Sequence, residues 1–494
     1  MKNLFISFVS LFAFVGCMNV FSQNHDNTKA ISVATNLEDM YNWNLYPTYQ
    51  TYLDFMNYYA DTYPNICKLD TIGYTTQNRL VLALKISSNP NIDQNKPKFF
   101  YSSSIHGNEL TGTMVLMQFI DTLLTSTADD IIQLRNSIQM YICPMANPDG
   151  TYIAGDNSVS YAVRYNANYL DLNRNFPDPK AGAHPDGESY QVETLAFMEY
   201  ALRERFHISS NLHTGSEVYN YPFDCYRSSQ KEHADKSWFE YMGNEFVGAF
   251  SSTTPSNYFT DVSSNGIIDG GDWYTVFGGR QDWHTYFAHC REITLELSMD
   301  YTPSNAKIKR YWEYLHNSMF VMPKYCLIGF EGVVKDTLTD EALDNVMIKI
   351  NNHDRDSSEV FSNSNGYFFR PILSGNYSVT FSKDGYYSKT INVNTSNDMT
   401  TLQDVKLLSM TQSIEKNPTK DVKIYPMPVN SVMVVEVGED MNYSIFDMQG
   451  QMIMNGRIHS GANVLDVSKL DNGNYFLKIY NAKEQYNKKI LVIK

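Results

Sequence analysis

Two hydrophobic periods alternate along the first two-thirds of the chain. Tyr49, Tyr52, Leu53, Met56 and Ala60 recur at helical spacing until Pro64, and residues 81–86 then read as a strand. Residues 99–105 form a further strand that runs straight into His106, and a Met-rich apolar helix is predicted over about residues 110–124. A strand at 138–143 and a turn at Asn147-Pro148-Asp149-Gly150 follow. Ile308, Tyr311, Leu315 and Met319 mark one closing helix. Strands interleaved with helices predict an α/β domain whose sheet is covered on both faces.

After Pro323 the helical period fades. Residues 327–408 read as short strands separated by Asn, Asp, Ser and Gly turns, as at Gly366-Tyr367-Phe368 and Gly375-Asn376-Tyr377. The polar stretch 411–420 reads as a linker. Residues 421–494 are again all-β, with Val432, Val434, Val435 and Val437 in one run and residues 490–493 in the last. The expected organisation is a large α/β domain over 30–325 and two small all-β sandwiches, 326–410 and 421–494.

Composition narrows the setting. Hydrophobic residues make up 43% and charged residues 19% of 494, a folded multidomain composition. A formal charge of −15 argues against nucleic acid or an anionic membrane as a partner. Residues 1–22 read as an export signal: Lys2, an apolar run over 4–16, and Val20-Phe21-Ser22 before Gln23. That run is too short to span a bilayer, and no later segment reaches transmembrane length. Gly16-Cys17 offers a lipoprotein alternative, which Phe14, three residues before the cysteine, disfavours. Without Cys17 the cysteines number five, scattered and with no CxxC pair. They read as small buried hydrophobes with one or two disulfides, not as zinc ligands.

His106-Gly107-Asn108-Glu109 falls between a strand and a helix, where open α/β sheets place their ligand sites. Gly107 and Asn108 let the chain turn so that His106 and Glu109 reach one ion. A second HxxE, His289 to Glu292, lies in an extended run whose alternate residues face opposite ways, so it is excluded. His213 ends another strand before Thr214-Gly215. Two His and one Glu form a known catalytic zinc set that leaves a position open for water. Glu292 and Glu296 share a strand face, and periodicity does not choose between them.

HGNE at 106–109, NPDG at 147–150, DLNRNFPD at 171–178, NLH at 211–213, NYPFD at 220–224 and EITLEL at 292–297 occur in that order. In these motifs the chain resembles the zinc metallocarboxypeptidases, in particular the regulatory branch that carries a transthyretin-like sandwich after the catalytic domain. The resemblance spans about residues 40–410. It implies a mixed β-sheet flanked by helices and one Zn²⁺ held by His106, Glu109 and His213. It further implies Glu296 as general base and Arg164 as oxyanion stabiliser. Asn173 and Arg174 would hold the terminal carboxylate, Tyr274 would close over the substrate, and Asp224 and Gln281 would line the pocket for a basic side chain. His284 and Thr285 depart from the branch, which more often shows Asn and Tyr there.

Residues 421–494 resemble the C-terminal sorting domain of type IX secretion, on Tyr425-Pro426-Met427-Pro428, Asp447-Met448-Gln449-Gly450, Gly473-Asn474-Tyr475 and the basic-apolar end. The resemblance implies outer-membrane secretion machinery as a partner and a secreted or cell-surface location; an ordinary ligand-binding sandwich is the bland alternative. Together these features predict a secreted carboxypeptidase acting on C-terminal Lys or Arg of peptides and proteins. A peptidoglycan stem-peptide hydrolase and an inactive surface binding module are the rivals.

Overall fold

The computed structural model describes residues 31–410, 422–481 and 485–494; the expected signal and linker lie outside them. In chain order the first domain carries helix α1 (Tyr49–Thr62), strands β1 (Cys67–Tyr74), β2 (Leu80–Ile86) and β3 (Lys98–Ser103), and helices α2 (Thr111–Thr125) and α3 (Asp129–Ser137). Next come β4 (Gln139–Cys143), α4 (Val192–Glu204), β5 (Ile208–His213), β6 (Ser216–Tyr221), α5 (Lys236–Gly248) and β7 (Ile267–Asp269). It closes with α6 (Arg280–Tyr286), β8 (Arg291–Ser298), α7 (Asn305–Leu315) and α8 (Ser318–Lys324). The eight strands form one sheet in the order β1-β2-β4-β3-β5-β8-β6-β7. Its centre, β4-β3-β5-β8, is parallel, β1 with β2, β2 with β4 and β8 with β6 pair antiparallel, and β6 with β7 is again parallel, so the sheet is mixed.

Burial on both faces explains the continuous apolar runs. On β3, Phe99 and Tyr101 enter the core built with α1, α2, α5, α7 and α8, while Phe100 enters the opposite core with Phe197 and Tyr200 of α4. The predicted closing helix is two helices, α7 and α8, broken at His316 and Asn317. The break turns Met319 and Met322 into the core, where the Tyr101 hydroxyl donates to the Met319 carbonyl at 3.1 Å. The Asn147–Gly150 turn continues into a single helical turn, Pro148–Thr151, whose Asn147 side chain accepts from the Gly150 N–H at 3.0 Å. The five described cysteines are all free and buried, so the expected disulfides are absent among the described residues: each thiol sits in packed interior.

Residues 329–407 form two facing four-stranded sheets around Phe330, Ile348, Phe368 and Phe381. This sandwich docks on the first domain through a buried ionic cluster, in which Arg370 donates to Asp235 at 2.9 Å and Asp235 also pairs with Arg291 at 2.7 Å. Residues 423–480 and 485–492 form a second sandwich, of three and four strands, around Met433, Val435, Ile445 and Leu477. Among the described residues no helix is long and apolar enough to cross a membrane.

Candidate active site

The carboxyl ends of β3, β5 and β8 meet at a cavity of about 140 Å³. After β3 the chain turns through Ser104, at φ 57°. The Ser104 hydroxyl donates to the Glu109 carbonyl at 2.8 Å, and the Glu109 N–H to the His106 carbonyl at 3.0 Å, which brings both side chains to one side. Gly107 lies against the Pro148–Thr151 turn so closely that a Cβ would fall 2.4 Å from the Gly150 carbonyl carbon. The NPDG motif therefore buttresses the HGNE turn, and Thr151 completes the joint by donating to the Gly107 carbonyl at 2.8 Å. His213 is the last residue of β5, and its register partner on β8 is Glu296.

Three donor side chains converge there. His106 Nδ1 lies 2.7 Å from Glu109 Oε1, His213 Nδ1 lies 2.8 Å from Glu109 Oε2, and the two Nδ1 atoms are 3.1 Å apart. A tetrahedral zinc with bonds of about 2.0–2.2 Å asks for neighbouring donors about 3.3 Å apart, so the set fits with small adjustment. The outer nitrogens are engaged: His106 Nε2 lies 3.1 Å from Asp171 Oδ1 and His213 Nε2 lies 2.8 Å from Asn211 Nδ2. The Asp171 carboxylate accepts from a His106 Nε2–H, which orients that imidazole and leaves its Nδ1 lone pair for an ion; the same tautomer of His213 requires the Asn211 amide to turn its oxygen to Nε2. Burial pushes the Glu109 carboxyl up, but the two imidazoles outweigh it and hold it below the usual carboxylate range. Burial also lowers His213, favouring the neutral, ligating form.

Two other clusters of potential ligands are already satisfied. Asp282 accepts the N–H groups of Asp224 and Cys225, and Asp178 those of Lys180, Ala181 and Gly278. Asp235 and Asp354 share Arg370. His289, of the rejected HxxE, points to the second domain, with Nδ1 2.9 Å from the Ser357 carbonyl; β8 starts only at Arg291.

Around the ligand trio stand the remaining sequence candidates. Arg164 reaches inward, Nη1 3.1 Å from His106 Nδ1, while its Nε donates to Asp171 Oδ2 at 2.8 Å. Asp171 thus links His106 to Arg164, a role no sequence signal identified; its place at the start of DLNRNF was the available clue. Asn173 and Arg174 line the same cavity, as does the half-exposed Tyr274. Glu296 is buried, and its Oε2 has no hydrogen-bond partner among the described residues. Burial, then the charge of Glu109, raises it well above the ordinary carboxylate range. Glu292, its rival, lies outside the cavity and pairs with Arg280 and His284.

Asp224 opens on the cavity, whereas Gln281 lies behind it and is almost wholly buried. The side-chain amides of Asn220 and Gln281 each donate to Asp224 Oδ1 at 3.0 Å. Burial pushes the Asp224 carboxyl up to about 6.

Comparison with known proteins agrees with this geometry. Residues 52–318 match the zinc carboxypeptidase family, 329–408 the carboxypeptidase regulatory-like domain, and 423–494 the secretion system C-terminal sorting domain. Carboxypeptidase D of Mus musculus is 31% identical over 353 residues, covering 69% of this chain and 25% of its own, so the chain spans about a quarter of that relative. The mouse carboxypeptidase N catalytic chain is 32% identical over 365 residues, 67% of this chain and 79% of its own. Mouse carboxypeptidase M is 31% identical over 347 residues, 68% and 77%. A two-histidine, one-glutamate trio at the strand ends and a family match over more than half of the residues lead to one conclusion: this chain belongs to the zinc carboxypeptidases.

Proposed function

We propose that the protein is an exported zinc carboxypeptidase that releases C-terminal Lys or Arg from peptides and proteins. The observation that carries this reading is the single cavity that joins the ligand trio, the unpartnered Glu296, Arg164, the Asn173–Arg174 pair and Asp224. When bound, zinc supplies a Lewis acid that polarises a carbonyl and acidifies water. Arg174 and Asn173 bind the terminal carboxylate, a planar anion suited to a guanidinium fork. Glu296 takes a proton from the attacking water at its free oxygen and delivers it to the leaving amine. Arg164, oriented by Asp171, faces the developing oxyanion charge. Tyr274 closes the outer side. The sorting domain hands the protein to outer-membrane secretion machinery, which sets a secreted or cell-surface location. The presence of the carboxylate clamp disfavours stem-peptide hydrolysis, and the complete trio with Glu296 disfavours an inactive binding module.

The test is release of the last residue from matched peptides ending in Lys, Arg, Phe or Ala, with and without chelator. Lys and Arg should leave fastest, chelation should abolish turnover, and added zinc should restore it. No release from any peptide by zinc-loaded protein would sink the proposal.

A pH dependence follows from Asp224. Its carboxyl is pushed up to about 6 in the folded protein, so the free pocket is protonated below that pH and its attraction for a cation fades. The same sign means that its ionised form opposes folding at neutral pH and that protonation relieves this on acidification. The ratio of kcat/KM for Lys over Ala peptides should fall as pH drops through about 6, following the Asp224 value. A ratio constant from pH 5 to 8, a window of about one to two units around that value, would exclude Asp224 from cation recognition.

A further inference from the structure

We propose that Arg280 is a positioning residue that locks the substrate-recognition side of the site to the strand carrying Glu296; the inference rests on the function proposed above. Arg280 opens α6, does not line the cavity, and its side chain is wholly buried. Its backbone N–H donates to Asn173 Oδ1 at 2.9 Å. The next residue, Gln281, donates to Asp224 Oδ1 at 3.0 Å. The start of α6 therefore holds both the carboxylate clamp and the specificity carboxylate.

The Arg280 side chain fastens that helix start to the sheet. Nε lies 2.8 Å and Nη2 3.1 Å from the two oxygens of Glu292, a bidentate fork. Glu292 stands on β8, four positions before Glu296 and on the same strand face. Nη1 donates to Ser102 on β3, and Ser209 on β5 donates to Glu292 Oε2 at 2.7 Å. The guanidinium carbon lies 5.4 Å and 5.5 Å from the Phe100 and Phe197 ring centres. His284, one turn along α6, adds Nδ1 2.6 Å from Glu292 Oε2. Arg280 and its partner Glu292 together thus tie the three parallel strands whose ends carry the ligands and the base.

An apolar residue would fill this space, and a buried ion pair adds little net stability over apolar packing. A fork does fix direction, because each N–H must meet its own oxygen. Without it, α6 can settle at slightly different depths on the sheet, and Asn173 and Asp224 move with it, while the ligand trio and Glu296 stay on their strands.

The experiment measures, by calorimetry, binding of a peptide ending in Lys to the full chain made inert by Glu296→Gln. It is repeated with Arg280→Met, Arg280→Lys and the charge-balanced pair Arg280→Met with Glu292→Gln. KM, kcat and Tm are measured for the same substitutions in the otherwise native chain. Arg280→Met and the paired variant should each weaken binding and raise KM about 10- to 100-fold, with kcat changed by less than about threefold. Arg280→Lys should recover part of the loss. Should Arg280→Met alone fail to fold, the paired variant, which leaves no orphaned charge on Glu292, carries the test. Native binding by the paired variant overturns the proposal, as does a parallel fall of kcat and affinity that tracks Tm. Failure of the peptide to bind even with Arg280 present overturns the proposed function; equal binding with and without Arg280 overturns only the positioning role.

Discussion

Glu296→Gln is expected to lower kcat on a C-terminal Lys peptide by about 10²–10⁴-fold, the usual contribution of a general base, with KM within a few-fold of native. Glutamine keeps the shape but has no basic oxygen to take a proton. The ligand trio does not include Glu296, so zinc content should be unchanged, and metal analysis beside the kinetics separates the two roles. Stability points the same way. Burial and the nearby Glu109 raise Glu296 well above the ordinary carboxylate range, so its ionised form opposes folding at neutral pH. The variant should therefore melt no lower than the native chain. Loss of activity together with loss of zinc would instead make Glu296 a structural support of the metal site.

The combination of high stakes for chemistry and low stakes for folding explains which parts of the site could be read from sequence. The candidates His106 and His213 were legible because each ends a strand-like run before Gly or Thr, and Glu109 because the Gly107-Asn108 turn can bring it back to His106; strand ends are where such sheets collect ligands. Glu296 and Glu292 were not separable by period, since β8 is buried along its whole length and both carboxylates point to one face. Only the family motif favoured Glu296. The structure adds the physical distinction that Glu292 has Arg280 and His284, whereas one oxygen of Glu296 has no partner among the described residues.

Asp171 and Arg280 carry no local signal because their roles arise from pairings distant in sequence. His106 and Asp171 are joined across 65 positions, and Arg280 and Ser102 across 178. No local pattern encodes such contacts. His284 and Thr285, which depart from the family pattern, lie buried on α6, and His284 belongs to the Arg280–Glu292 cluster. The α/β order and the two β-rich units were visible in the change of period after Pro323. The break between α7 and α8 was not, because Ile308, Leu315 and Met319 keep an apolar spacing straight across it. Helix ends set by tertiary contacts, such as the Tyr101 bond to Met319, leave no such mark.

Asp224→Asn should lower kcat/KM for C-terminal Lys relative to Ala by about 100-fold or more, because a buried cation left without its counter-charge is costly. The surrounding amides sharpen this expectation. Asn220 and Gln281 both donate to Oδ1, and Oδ2 has no hydrogen bond among the described residues, which leaves it to face a substrate cation. An asparagine in the same pose keeps its oxygen toward those two donors and turns its NH₂ into the cavity. A donor would then meet an ammonium or guanidinium that needs an acceptor, so the pocket changes from attracting a cation to repelling it. Matched peptides ending in Lys, Arg, Gln and Ala measure the change directly. Lys and Arg should lose most, Ala should be nearly unaffected, and Gln should gain relative to both basic residues because its carbonyl can accept from the new NH₂. An unchanged Lys-to-Ala ratio would mean that the basic side chain binds elsewhere. A uniform loss across all four peptides would place Asp224 in support of the Asn173–Arg174 clamp, which the side chain at the end of the substrate does not touch.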